Sequence, residues 1–177
     1  DHMQFLGNTL ELIAAEKAGI IKPNVPVVIG EYLAETKSVF LNKAAETKSD
    51  IYFASDWVTD DFKSDLLGDY QKHNKKTVVQ TIRVLKDRRL FNITEEHLAK
   101  GLMHVVSNTG LLGRWQQLQS EPTVIADTAH NSHGMKVVME QLQRQRYEKL
   151  HVVLGVVNDK DLDDILPLFP KNASYYF

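Results

Sequence analysis

The sequence predicts an α/β protein in two parts, each built on a parallel sheet with helices packed against it. Three observations carry that prediction. Residues 25–30, VPVVIG, form a short β-branched apolar run, the pattern of a strand buried on both faces. A helical stretch over 33–47 and a second apolar run at 51–54 follow, and strand–helix–strand at that spacing is a parallel βαβ unit. A similar order returns near the C-terminus: a helix over 132–145 leads to an apolar strand at 150–155, and 174–177 reads as the start of another strand.

The elements follow in order. The first helix is expected to be capped by Asn8, with Glu11 three residues on in capping-box position, and to stop at Gly19 ahead of Pro23. Leu10, Ile13, Ala14 and Lys17 fall at i, i+3, i+4 and i+7, which places Lys17 in line with the core stripe. After the βαβ unit, 56–65 is acidic and irregular, a loop or hairpin. A long helix is expected over 70–85, and another from a Thr94 cap to just before Asn108. Residues 109–113 carry two glycines and no helical pattern, and read as a linker. Beyond it, 115–118 and 123–126 are two strands around a Ser120-Glu121-Pro122 turn. Residues 161–168 are expected to form a short helix. The domain division expected is 1–109, a hinge at 110–113, and 114–177.

Bulk properties bound the function. A chain of 177 residues, 43% hydrophobic, can build one good core or two small ones. Its net charge of −2 and pI near 6.4 imply no general attraction to nucleic acid or acidic membranes. The basic stretches at 72–76 and 86–89 read as solvated helix faces. The absence of cysteine excludes disulfides and zinc–thiolate sites and suits a cytoplasmic protein. No apolar run approaches a membrane span, and no signal peptide is visible.

Two constellations carry chemistry. Asp1-His2 precedes the first helix, a common arrangement for a metal or phosphate site, although a surface histidine gives the same pattern. A lysine at position 17 in a core stripe can snorkel its ammonium to the edge. Alternatively, burial lowers its pKa and leaves a neutral amine that carbon dioxide can convert to a carbamate, an anionic metal ligand. The second constellation, Asp127-Thr128-Ala129-His130-Asn131, directly follows a strand and precedes a helix. Open α/β sheets bind ligands at such a place, and the helix end offers unpaired N–H groups to an anion. Asn131 or Ser132 acting only as a helix cap would produce the same residues.

The run from Asp1 to Lys22, DHMQFLGNTLELIAAEKAGIIK, closely resembles the LDHxxxLGxTxxxIAxEKAGIxK segment of folylpolyglutamate synthase/dihydrofolate synthase, of the Mur ligase superfamily. DTAHNSHG, over 127–134, is similar to that superfamily's DxAHNPxG, with Ser132 in place of the proline. Gly113-Arg114 fits its GR motif, and Gly155 with Asp159-Lys160-Asp161 its GxxxDKD turn. Residues 68–75 are a weaker match to GxHQxxNA: Gln71 and Asn74 are kept, whereas Tyr70 replaces the histidine and Lys75 the alanine.

The resemblance implies the C-terminal part of a Mur-ligase-type ATPase domain followed by an incomplete Rossmann-like glutamate-ligase domain. It implies ATP and Mg2+ as cofactors, with His2 and a carbamylated Lys17 as metal ligands. Gln71 and Asn74 would lie near the adenine, Arg114 at the ATP phosphates, Asp127 on the nucleotide and His130 near the incoming amino acid. The activity implied is ATP-dependent addition of L-glutamate to folate or dihydropteroate through an acyl phosphate, by a monomer with no nucleic-acid or membrane partner. A cell-wall Mur ligase and a non-catalytic nucleotide-binding module are the alternatives. The sequence contains no GxxxxGK[ST] phosphate loop, so the chain is expected to be the middle portion of a longer enzyme and inactive alone.

Overall fold

A computed structural model describes residues 9–156 and 162–177, and they divide into two compact units. Among the described residues the first comprises 9–63 and 72–104; the second comprises 64–71, 105–156 and 162–177. The Asn8 cap lies outside the described residues, as do His2 and the 159–161 turn.

In the first unit, α1 (Leu10–Ala18) is capped by Thr9, whose hydroxyl accepts the Leu12 N–H at 3.3 Å. Strand β1 (Val27–Ile29), helix α2 (Ala34–Glu46) and strand β2 (Ile51–Phe53) then form the expected βαβ unit. Its strands are parallel, with Val27 opposite Ile51 and Ile29 opposite Phe53. A single turn, α3 (Ala54–Trp57), follows where a loop or hairpin was expected, and irregular chain runs on from it.

The long helix α4 (Gln71–Asp87) matches the pattern read from sequence, and α5 (Glu95–Met103) starts where it was expected. The Thr94 hydroxyl caps α5 by accepting the His97 N–H at 3.1 Å. Two clusters make the core of this unit. Ala14, Ala18, Ile21, Phe40 and Phe53 form one; Val58, Val79, Leu98 and Leu102 form the other.

Three expectations are corrected. Lys17 is exposed: α1 buries Ala14 and Ala18, whose small side chains form its inner face, while Leu10 and Leu12 stay open to solvent. The helix expected over 94–107 is broken at His104, and a separate turn, α6 (Val105–Thr109), begins there. Its start is fixed by Asp65, whose two carboxylate oxygens accept the Val105 and Val106 N–H groups at 3.1 and 2.9 Å. The expected helix at 161–168 is reduced, among its described residues, to a 3-10 turn over Leu166–Leu168. Pro167, followed by Pro170, leaves too little chain for a helical nucleus.

In the second unit, β3 (Gln116–Ser120) and β4 (Thr123–Ala126) pair antiparallel, with a register shift between Gln117 and Gln119. Helix α7 (Ser132–Gln143) leads to β5 (His151–Val153), which pairs parallel with β6 (Ser174–Tyr176). Trp115, Met135, Val138, Met139 and Ile165 are the buried centre. The segment 64–71 belongs to this unit through specific bonds. Gln141, 6% exposed, accepts the Asp69 N–H at 2.7 Å and donates to the Leu67 carbonyl at 3.0 Å, and Arg144 pairs with Asp69.

Candidate functional site

Strand β4 ends at Ala126, and the next residue, Asp127, organises the site. It is half-buried, so its carboxylate needs partners. It has three. Oδ2 accepts the Tyr70 hydroxyl at 2.8 Å and the Trp115 N–H at 2.7 Å, and Oδ1 accepts the Ala129 N–H at 2.8 Å. One carboxylate therefore holds the strand end, the turn after it, the 113–115 loop and the 64–71 segment together. A carboxylate offers about four lone-pair sites, so one is left on Oδ1 for a further donor.

The 113–115 loop owes its shape to two left-handed residues, Gly113 at φ +67° and Trp115 at φ +49°. Gly113 also packs against Thr128 so closely that a Cβ built there would lie 2.4 Å from its Cγ2. Only glycine fits that approach. The closeness lets the Gly113 carbonyl accept both the Thr128 N–H, at 2.9 Å, and the Thr128 hydroxyl, at 3.1 Å. The Arg114 guanidinium is steadied by donating to the Gly113 carbonyl at 3.2 Å and to the Thr128 hydroxyl.

On the far side, Asn131 caps α7 by accepting the Gly134 N–H at 2.7 Å. The Nδ1 of His130 lies 3.0 Å from the Thr128 carbonyl, a pure acceptor, which makes Nδ1 the protonated nitrogen. These groups line one pocket of about 280 Å³: Tyr70, Arg114, Asp127, His130 and Asn131, floored by Val138. A cation, a helix N-terminus and an acceptor with a spare lone pair face the same space. That combination suits a ligand carrying both an anionic group and hydroxyls.

Arg114, Asp127 and His130 are thus brought together around one pocket. Tyr70 was missed as a site residue; its only signal in the sequence was its departure from GxHQxxNA. Burial, together with the Asp127 carboxylate that accepts its hydrogen bond, raises the Tyr70 phenol above its ordinary value, with Arg114 opposing. The group is therefore a donor across the physiological range. Gln71 is buried next to it, whereas Asn74 is exposed on α4 in the first unit. Lys17 is exposed on α1, and His2 lies outside the described residues.

In the first unit the ends of β1 and β2 carry a polar cluster that sequence reading did not single out. The Tyr32 hydroxyl lies 3.0 and 2.9 Å from the two Asp56 oxygens, and Lys37 donates to Tyr32 at 2.9 Å. These groups satisfy one another.

A family model described as Mur ligase, glutamate ligase domain, matches residues 113–177. A folylpolyglutamate synthase of Lacticaseibacillus casei is 27% identical over 183 residues, which are 91% of this chain and 42% of that protein. A probable dihydrofolate synthetase of Schizosaccharomyces pombe is 33% identical over 196 residues, 98% of this chain and 45% of that one. Among solved structures, E. coli FolC in complex with DHPP and ADP shares the fold, with a TM-score of 0.78 at 23% identity, over 99% of this chain and 44% of its own. The chain spans less than half the length of these curated relatives. Residues 113–177 therefore match the glutamate ligase domain of the Mur ligases, and the chain as a whole is similar to folylpolyglutamate and dihydrofolate synthases over that shared portion.

Proposed function

We propose that the chain is part of an ATP-dependent ligase that adds L-glutamate to folate, dihydropteroate or both. The observation that carries this reading is the pocket around Asp127, in which Arg114, Asp127 and His130 meet at a strand end and a helix N-terminus. The relatives support it by name, and the E. coli neighbour holds ADP and DHPP. The residues divide the work as follows. Arg114, steadied by Thr128, neutralises phosphate charge as it builds during phosphoryl transfer. The N–H groups at the start of α7 extend that positive field. Asp127 accepts from a nucleotide hydroxyl through its remaining Oδ1 lone pair. His130, with its Nδ1 proton held on Thr128, orients the incoming amine. Gln71 and Asn74 are proposed for the adenine, and residues 110–113 for the connection between the ATP-binding part and the glutamate-ligase part.

The ligase family implies magnesium, which assists phosphoryl transfer when bound. His2 and a carbamylated Lys17 are the proposed ligands. Among the described residues no group of three or more His, Asp or Glu gathers, and Lys17 presents an exposed side chain.

The test is a coupled assay. The full-length parent is expected to release phosphate only when ATP, glutamate and a pteroate or folate acceptor are all present. Phosphate release that ignores glutamate would sink the reading. The 177-residue polypeptide, lacking a GxxxxGK[ST] loop, is expected to release none under the same conditions. Turnover by it would show that the phosphates are held by other residues.

A further inference from the structure

We infer that Tyr70 is a positioning residue of the nucleotide pocket: its hydroxyl clamps Asp127 Oδ2 and thereby aims the one spare Oδ1 lone pair at the bound nucleotide. The inference rests on the proposed function and deepens it. Three features of the structure carry it. First, Asp127 is tied to backbone at Trp115 and Ala129, and Tyr70 supplies its only side-chain partner among the hydrogen bonds described above. The two backbone bonds leave rotation of the carboxylate resisted by one N–H on each oxygen; the phenol adds a third point. Second, Tyr70 is itself held. Its neighbour Asp69 is bound through its N–H to the buried Gln141 and through its carboxylate to Arg144. The Gln71 N–H on its other side closes a turn onto the Gly68 carbonyl at 2.9 Å. The ring packs in the Trp115–Met139 cluster. Third, the Tyr70 ring lines the pocket together with Arg114 and His130, so the clamp stands at the ligand and not behind it.

The clamp uses a residue where the resembling ligases commonly carry histidine. An imidazole N–H can also donate to a carboxylate, so the position calls for a planar ring with a donor at its tip. Phenylalanine keeps the ring and loses the donor. Removing a hydrogen bond to a charged acceptor loosens a coupled interaction by roughly tenfold or more.

The experiment uses the full-length parent, with ADP as the probe for binding and ATP-dependent ligation for turnover. Tyr70→Phe is expected to weaken ADP about tenfold by calorimetric titration and to raise KM for ATP by a similar factor, with kcat changed less than about threefold. Tyr70→His is expected to recover most of that loss. In a double-mutant cycle with Asp127→Asn, the two losses are expected to fall well short of additive, because Tyr70 acts through Asp127. Unchanged ADP affinity in Tyr70→Phe, full additivity, or no recovery by histidine would each overturn the clamp. These outcomes leave the proposed function standing as long as the unsubstituted parent ligates glutamate. Failure of the parent to bind ADP would instead overturn the functional reading, and the clamp with it. A thermal melt of each variant separates lost aim from lost folding: a drop in ADP affinity that tracks the drop in melting temperature would mark Tyr70 as a structural tyrosine and overturn its positioning role.

Discussion

At the scale of single residues, the second unit depends on Asp127 and Gly113. Gly113→Ala puts a methyl group against Thr128 Cγ2 and strains a left-handed backbone, at a cost of about 1–3 kcal/mol that a urea titration of the parent should register. It should also displace Arg114, so ATP affinity should fall with stability. Tyr70 predicts a pH effect. Its folded value is raised above the ordinary 10.0, by burial first and by the Asp127 hydrogen bond second. A raised acid keeps its proton longer in the folded chain, so its contribution is intact below about pH 10 and is lost as pH rises toward the folded value. Stability measured from pH 9 to 11 should therefore fall more steeply in the unsubstituted protein than in Tyr70→Phe, and equal slopes would contradict this account. Residue types also mark the limit of sequence reading. Arg114, Asp127 and His130 stood out because each lies in a motif. Tyr70 stood out only as a mismatch, since its partner is 57 positions away and no local pattern joins them.

At the scale of elements, most of the pattern was legible. The βαβ unit, the long helix α4, the β3–β4 hairpin and the β5–β6 pairing all follow from period and turn chemistry. Two of the failures share a cause: a partner distant in sequence. Helix α1 has apolar residues around much of its circumference, and a stripe through Leu10 and Lys17 looked as good as any. The packing chose the Ala14–Ala18 face because two small residues allow close approach. The break at His104 is set by Asp65, forty residues upstream of the N–H groups it accepts. Of the two local cap candidates, Asn131 and Ser132, the bond from the Gly134 N–H selects Asn131. Asn131→Ala should cost about 1 kcal/mol by loss of the Gly134 bond, measurable by denaturant unfolding, and should also blunt anion binding at the start of α7.

At the scale of the whole molecule, the chain forms two compact units, each with its own core, and the assignment of 64–71 to the second unit was not visible in sequence. That segment is continuous in chain with α4, and only side-chain bonds to Gln141, Arg144 and Asp127 reveal where it packs. No described helix is long and apolar enough to cross a membrane. The sheets carry a further consequence. Among the described residues each has two strands, so every strand is an edge with a row of backbone groups open to pairing. On β5, Val153 is 82% exposed, and Phe177, just past β6, is 85% exposed. A sticky apolar edge of this kind recruits other copies of itself. The 177-residue polypeptide in isolation should self-associate as its concentration rises, and light scattering should show Val153→Lys delaying that onset without lowering the melting temperature. Handling this chain in isolation thus becomes a problem of colloidal behaviour.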